Sequence, residues 1–385
     1  MSLLGCLTAL HFRTLVTKRI HPMASVSPQQ VEDTLKNIED PNVGKSIVAA
    51  KWVKDISVDG DKVSINIEFG YPAKSMLEEF SEKIGNEVSK LEGVADVDIT
   101  IGWKIQAHAV QKSLKPMENI KNVIAVASGK GGVGKSTTAV NLALALAAEG
   151  ASVGILDADI YGPSQPRMLG LSGQPESSDG KSLEPMVAHG LQAMSIGFLI
   201  DEETPMIWRG PMVTQALEQL LNDTRWRDID YLVVDLPPGT GDVHLTLAQK
   251  IPVSGAVIVT TPQDIALLDA RKGLKMFEKV EVPVLGIVEN MSLHICSECS
   301  HEEAIFGTGG GEKMAEESDV ELLGKLPLDM SIREQVDGGQ PTVISFPDSR
   351  VSQIYKEIAR KTAAKLAVKS KDYSAKFPKI VIQNT

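Results

Sequence analysis

The sequence is poor in cysteine and in aromatic residues, and both shortages narrow its possible functions. Its 385 residues include three cysteines, Cys6, Cys296 and Cys299, too few for a disulfide framework. This number is typical of a reducing, cytosol-like compartment, where thiols serve as ligands or redox groups. Aromatic residues make up 4% of the chain, which argues against a stacking platform for single-stranded nucleic acid.

The sequence also lacks a basic excess and a long apolar run. Its formal net charge is −11, so we expect no nucleic acid among its partners. No apolar run approaches the roughly 18 residues of a membrane span, so we expect no membrane partner. The hydrophobic content of 43% is ample for a buried core, and the length suggests two domains.

The first 31 residues contain no aspartate or glutamate, but they do contain Arg13, Lys18 and Arg19. This composition is typical of an organellar transit peptide, which would place the protein in an organellar matrix. The low serine and arginine content favours the alternative, an over-long gene start with the true start at Met23. We therefore treat residues 1–26 as an N-terminal extension of uncertain status on a cytoplasmic protein.

Residues 27–110 predict a small α+β domain. Ser27–Ile38 has the pattern of a capped helix, and Lys62–Gly70 alternates like a half-buried strand. A second amphipathic helix and a further strand follow. The polar segment 111–122 predicts a linker.

Residues 123–370 predict an α/β domain, with residues 371–385 as a C-terminal tail. Continuous apolar runs such as NVIAVAS and DYLVVD are typical of strands buried on both faces. Helical stretches separate most of these runs. The alternation predicts a mostly parallel sheet flanked by helices, wound by right-handed crossovers.

The segment SGKGGVGKSTT contains a phosphate-loop pattern between a predicted strand and a predicted helix. Its glycines let backbone N–H groups turn toward phosphate oxygens, and the helix N-terminus adds a positive dipole end. Lys135 is expected to contact the β- and γ-phosphates, and Ser136 to bind Mg²⁺. The predicted nucleotide-binding residues of this loop are Gly129, Lys130, Gly131, Gly132, Val133, Gly134, Lys135, Ser136 and Thr137.

Three aspartates follow predicted strands at the edge where an open α/β sheet binds its ligands. Asp235 ends the run YLVVD, the position of an aspartate near Mg²⁺. Asp157 and Asp159 lie at the end of another strand, where a carboxylate can orient the attacking water or reach the metal. Together with the phosphate loop, these carboxylates predict nucleotide hydrolysis.

Cys296 and Cys299 form a C-x-x-C pair with three possible functions. Two chains could share an iron–sulfur cluster across a two-fold axis, because such clusters take four cysteines. The flanking His294 and His301 could complete a zinc site. The pair could also be a redox dithiol. The spacing alone leaves all three open.

Four separated motifs resemble one family of ATPases. GKGGVGKST resembles the deviant Walker A motif of ParA-like ATPases, and DADIYGPSQP, DLPPGTGD and VENMS resemble the Mrp/ApbC iron–sulfur cluster carriers. The N-terminal domain resembles the small metal–sulfur cluster assembly domain of bacterial members. The resemblance implies an ATP-hydrolysing carrier that accepts a cluster from a scaffold and passes it to apo-proteins.

The resemblance also implies roles for single residues. Lys130, the second lysine of the loop, is expected to cross a homodimer interface and touch the ATP phosphates of the other subunit. Asp159 is expected to position the water, and residues 235–242 to sense the γ-phosphate. Asn290 is expected to contact adenine, and Pro327 to lie in the loop flanking the base.

In the family, a C-x-x-C at this point holds a labile cluster, expected to be [4Fe–4S] and to bridge the homodimer. The resemblance therefore favours a cluster at Cys296 and Cys299. The stretch Gly70–Leu77 lacks a cysteine that the family often carries there, so the N-terminal domain is assigned no cluster ligand. The alternative function is a ParA-like positioning or partitioning ATPase without a cluster, which would leave the C-x-x-C unexplained.

Overall fold

The computed structural model describes residues 10–15, 26–108, 110–111, 114–200, 210–296, 298–299 and 301–373. The chain divides into two compact units, residues 1–106 with 363–385 and residues 107–362. Of the predicted extension 1–26, only residues 10–15 and 26 are described. Most of the predicted tail 371–385 also lies outside the described residues.

The described residues of the first unit form a four-stranded sheet and two α-helices, together with the end of the chain's last helix. Its helices are α1 (Pro28–Leu35) and α2 (Leu77–Val88), and its strands are β1 (Leu10–Leu15), β2 (Glu39–Asp40), β3 (Lys45–Ser46), β4 (Val53–Asp59), β5 (Lys62–Phe69) and β6 (Asp96–Trp103). The strand order is β1-β6-β5-β4. Strands β5 and β6 are parallel, and the other neighbours in this sheet are antiparallel. Strands β2 and β3 form a separate antiparallel pair.

Local sequence accounts for the first unit well. The Ser27 hydroxyl accepts a hydrogen bond from the Gln30 backbone N–H, and the Gln30 side chain accepts one from the Ser27 backbone, which starts α1 as a capping box. The alternating apolar residues of β5 face the core as predicted, with Val63 and Ile67 fully buried. The buried Asp40 carboxylate accepts hydrogen bonds from the ring N–H of Trp52 and the hydroxyl of Tyr71.

The second unit is built on an eight-stranded sheet. Its strands are β7 (Ile120–Ala127), β8 (Val153–Asp157), β9 (Met186–Ala188), β10 (Leu191–Ser195), β11 (Ile229–Asp235), β12 (Gly255–Thr260), β13 (Val284–Glu289) and β16 (Leu322–Lys325), with β14 (His294–Ile295) and β15 (Glu302–Glu303) as a separate hairpin. Its helices are α3 (Lys135–Ala148), α4 (Gln165–Met168), α5 (Gly210–Asp223), α6 (Asp242–Lys250), α7 (Asp264–Lys279), α8 (Gly310–Glu317), α9 (Met330–Asp337) and α10 (Thr342–Ser345). A last helix, α11 (Arg350–Tyr373), begins in this unit.

The strand order is β16-β13-β12-β7-β11-β8-β10-β9, and every neighbouring pair is parallel except β9 with β10. The predicted fold class is confirmed. Strand β7 begins at Ile120, inside the predicted linker, because the buried Ile120 already pairs with Ile229 of β11. None of the described helices is long and apolar enough to cross a bilayer.

The sheet brings the predicted acidic residues together. In the register of β11 with β8, Asp235 lies opposite Asp157. In the register of β11 with β7, Asp235 lies opposite Val126, two residues before the phosphate loop. The carboxyl ends of three neighbouring central strands therefore meet at one edge, where an open α/β sheet binds its ligands.

Candidate functional site

The phosphate loop lines a cavity of about 290 Å³. Gly132 and Gly134 have φ angles of +82° and +81°, a region that favours glycine. A Cβ atom on Gly134 would lie 2.2 Å from Nδ2 of Asn290, and one on Gly129 would lie 2.2 Å from the Asp269 backbone. The cavity is lined by Ser128, Lys130, Gly131, Gly132, Gly134, Lys135, Ser136, Thr137, Asp159, Ser164, Met168 and Pro238.

Lys135 and Asp235 form a buried ion pair beside this cavity, with side chains 6% and 0% exposed. The Lys135 ammonium group also lies 3.1 Å from the hydroxyl oxygen of Ser136 and 3.9 Å from Oδ2 of Asp159. The Lys135 ammonium group therefore lies between the Ser136 hydroxyl and the Asp235 carboxylate, the two groups that were predicted to bind Mg²⁺. An oxygen set of this kind suits a hard divalent cation.

Asp157 is fully buried next to Asp235. Its carboxylate accepts hydrogen bonds from the backbone N–H groups of Asp159, Ser164 and Gln165 and from the hydroxyl of Ser195, at 2.9–3.2 Å. Burial, and then the negative charge of Asp235, raise the pKa of Asp157 to about 7 in spite of these bonds. Burial also raises the pKa of Asp159, an effect that the charge of Lys135 opposes.

Gln165 belongs to the same cluster, although no sequence pattern predicted this. The residue is 1% exposed. Its side-chain N–H₂ group donates to Oδ2 of Asp235 at 2.8 Å and to the backbone carbonyl of Ser136 at 3.1 Å. The residue lies within the motif DADIYGPSQP, but nothing in a motif reveals a partner 70 residues away.

His244, in α6, is a second residue that was missed. It is 7% exposed, and its Nε2–H donates to the Pro237 carbonyl at 2.8 Å. Burial lowers the pKa of His244, and the nearby charge of Lys135 acts in the same direction. The His244 imidazole thus ties α6 to Pro237, within residues 235–242, the segment expected to sense the γ-phosphate.

Asn290 lies behind the phosphate loop, where its side-chain N–H₂ group donates to the Val133 carbonyl at 2.9 Å. Pro327 is on the neighbouring segment, since backbone hydrogen bonds of 2.9 and 2.7 Å join residues 292–293 to residues 326–328. The two residues expected near the base are therefore on adjacent, paired segments. Their contact with a base stays a prediction.

Cys296 and Cys299 are free thiols between the two strands of the β14–β15 hairpin, the first half-exposed and the second exposed. Hydrogen bonds from the backbone N–H groups of Cys299 and then Glu298 lower the pKa of Cys296, which favours the thiolate that binds metals. Among the described residues no three His, Cys, Asp or Glu side chains converge on one point. In this arrangement His294 and His301 do not lie with both cysteines of the same chain around one metal position.

Comparison with known proteins agrees with this geometry. Residues 119–363 match the family described as NUBPL iron-transfer P-loop NTPase, and residues 28–101 match the family described as iron-sulfur cluster assembly protein. An iron-sulfur cluster carrier protein of Escherichia coli (strain K12) is 53% identical over 337 residues, which cover 87% of this chain and 91% of that protein. The iron-sulfur cluster transfer protein NUBPL of Mus musculus is 56% identical over 254 residues, or 66% of this chain and 80% of that protein.

A solved structure shows the same architecture. A nucleotide-binding protein of Archaeoglobus fulgidus, in complex with ADP, superposes with a TM-score of 0.52 at 39% sequence identity. The superposition covers 58% of this chain and 88% of that one. The resemblance inferred from the four motifs is thereby confirmed. Because the NTPase match spans more than half of the sequence, the chain belongs to the NUBPL family of iron-transfer P-loop NTPases.

Proposed function

We propose that this protein is an ATP-hydrolysing carrier that holds an iron–sulfur cluster at Cys296 and Cys299 and delivers it to apo-proteins. One observation carries the proposal: a single short segment connects the phosphate loop to the cysteine hairpin. Asn290 contacts the loop at Val133, and the hairpin begins at His294. On this proposal, a change of nucleotide in the loop would reach the two thiols through residues 290–294.

ATP is the nucleotide proposed for the cavity. Lys135 would leave Asp235 for the β- and γ-phosphates, and Asp159, which lines the cavity, would orient the attacking water. Ser136 and Asp235 would hold Mg²⁺ where the ammonium group now lies. The metal ion would neutralise charge on the phosphate oxygens.

A homodimer would supply what one chain lacks. A [4Fe–4S] cluster takes four thiolates, and the hairpin offers two. Lys130 is half-exposed at the cavity, and the family resemblance implies that in a dimer it would contact phosphates bound to the partner subunit. Helix α7 contacts the loop at Gly129 and exposes Ile265 (70%) and Leu268 (55%), an apolar face suited to a second copy of the chain.

The N-terminal unit is proposed to dock the scaffold that donates the cluster, or the recipient apo-protein. Its match to the cluster assembly family supports this role. The proposed domains are residues 27–110 for docking and 123–370 for the ATPase. The proposed linker 111–122 lies between them, and its last residues, 120–122, form the start of β7. We place the protein in the cytoplasm, or in an organellar matrix if residues 1–26 act as a transit peptide.

Anaerobic reconstitution with iron and sulfide tests the carrier function. We expect about four irons and four sulfides per dimer, and their loss when Cys296→Ser is combined with Cys299→Ser. The same variant should still bind the fluorescent nucleotide mant-ADP. The matched control is Cys6→Ser, which should keep its iron. If the wild type takes up no iron, or if the double variant keeps it, the carrier function is wrong and a ParA-like positioning ATPase becomes the better explanation.

A further inference from the structure

Gln165 is the first residue of α4 and lies between two buried carboxylates. Its backbone N–H donates to Oδ2 of Asp157 at 3.0 Å, and its side-chain N–H₂ group donates to Oδ2 of Asp235 at 2.8 Å. Both aspartates are 0% exposed. Carboxylates removed from water need hydrogen-bond donors. Gln165, an uncharged residue, supplies one donor to an oxygen of Asp157 and one to an oxygen of Asp235.

The orientation of the Gln165 amide follows from its partners. The side-chain nitrogen has two neighbours, Oδ2 of Asp235 and the backbone carbonyl of Ser136, and both accept hydrogen bonds but cannot donate them. The nitrogen must therefore point at them and use both of its hydrogens. These two partners belong to the same two residues, Ser136 and Asp235, that were proposed to hold Mg²⁺.

The two oxygens of Asp235 have different kinds of partner. Oδ1 faces the ammonium group of Lys135, a flexible side chain that must move when phosphates bind. Oδ2 faces Gln165, which is held by its own backbone bond to Asp157 and is 1% exposed. When Lys135 moves away, Oδ1 becomes available to a cation while Oδ2 keeps the carboxylate plane fixed.

The Gln165 amide oxygen is also buried, and within the described part of the chain it has no hydrogen-bond partner. A buried acceptor without a protein donor is unusual. Such an unpaired acceptor is expected next to a hydrated cation, because metal-bound waters donate hydrogen bonds to the residues around them.

We propose that Gln165 is a positioning residue of the divalent-cation site, which holds Asp235 in the orientation that binds the metal ion and thereby sets the affinity for Mg²⁺ rather than for the nucleotide. The inference rests on the proposed Mg²⁺ site. Gln165 is not among the residues that line the phosphate-loop cavity, and its effect acts through Asp235 and Ser136.

The test is the binding of mant-ADP, measured by fluorescence in EDTA and across a series of MgCl₂ concentrations. Gln165→Met keeps the length of the side chain and removes both donors. We expect its affinity for mant-ADP in EDTA to match the wild type within about twofold, and its half-saturating Mg²⁺ concentration to rise about tenfold, the loss expected for a hydrogen bond to a charged group. Gln353→Met, at an exposed position of α11, is the control and should behave like the wild type.

Gln165→Asn provides a second variant if Gln165→Met does not fold, because its shortened side chain cannot reach both acceptors. A variant that is folded by circular dichroism and responds to Mg²⁺ like the wild type would overturn the role of Gln165. An equal loss of mant-ADP affinity in EDTA would also overturn it, since that result indicates a general defect of the pocket. If the wild type itself shows no response to Mg²⁺, the proposed metal site fails, a different result from failure of Gln165 alone.

Discussion

The ammonium group of Lys135 contacts the carboxylate of Asp235 in a place where neither side chain is more than 6% exposed. The same lysine is the residue of the phosphate loop expected to bind the β- and γ-phosphates. Lys135 therefore has two alternative anionic partners, one in the protein and one in the ligand. The structure shows the arrangement in which the protein partner is engaged.

Lys135→Met is expected to abolish ATP hydrolysis and also to destabilise the protein. It leaves Asp235 buried and unpaired beside Asp157, and breaking a buried pair typically costs about 3–5 kcal/mol. Urea unfolding without nucleotide measures this loss. The double variant Lys135→Met with Asp235→Asn should recover most of the stability while staying inactive. If the double variant is less stable than Lys135→Met alone, the pairing does not explain the loss.

Lys130 is expected to act on ATP bound to the partner subunit, so two inactive variants should complement each other. In a mixed dimer of Lys130→Ala with Lys135→Ala, one site combines an intact Lys135 with an intact Lys130 from the other chain. A statistical mixture gives half mixed dimers with one working site each, so about one quarter of wild-type ATPase activity should return. If the mixture stays as inactive as its components, Lys130 acts within its own subunit.

Asp157 should make stability fall as the pH rises through the weakly acidic range. Burial raises the pKa of Asp157 from the usual 3.8 to about 7, so the folded protein holds this proton more firmly than the unfolded chain does. The folded state is therefore favoured at low pH, and this contribution is lost between about pH 4 and pH 7. The Asp157→Asn variant should lack this pH-dependent contribution to stability.

Urea unfolding of both proteins at pH 5 and pH 8 measures this effect. Between pH 5 and pH 8 the unfolding free energy of the wild type should fall relative to that of Asp157→Asn. The other titrating groups are common to the two proteins, so the change in this difference reports Asp157. A constant difference at both pH values would show that Asp157 is ionised in the folded state throughout.

Gly134→Ala should impair nucleotide binding more than it impairs folding. Alanine at this position meets both a φ of +81° and a contact of 2.2 Å with Asn290, so the loop must move. Gly173→Ala is the matched control, since Gly173 has a φ of +93° but no atom within 4 Å of the added Cβ. Each variant should lose about 1 kcal/mol of stability from backbone strain, and Gly134→Ala alone should lose mant-ADP affinity. Equal affinities would contradict a role for this close contact.

Much of the fold could be predicted from sequence because local patterns determined it. Ser27 starts α1 by hydrogen bonds within four residues, and the alternation of β5 matches its buried face. The phosphate loop could also be predicted locally, because its glycines and the helix that follows them are adjacent in the sequence. These features depend on near neighbours, which a single sequence displays.

The features that were missed depend on distant neighbours. Strand β1 lies in the segment that was assigned to the N-terminal extension, and only its antiparallel pairing with β6 shows that this segment belongs to the sheet. Gln165 and His244 have ordinary side chains whose importance comes from their partners in the folded chain. The C-x-x-C was found from spacing, but its place on a hairpin beside the segment 326–328 required the structure.

The short connection through residues 290–294 has a thermodynamic consequence for the carrier. Two ligands that bind one protein change each other's affinity by the same factor, whichever binds first. If ATP lowers the affinity for the cluster tenfold, the cluster must lower the affinity for ATP tenfold. A loaded dimer would then resist ATP until a recipient competes for the cluster, so the arrival of the recipient would itself permit nucleotide binding.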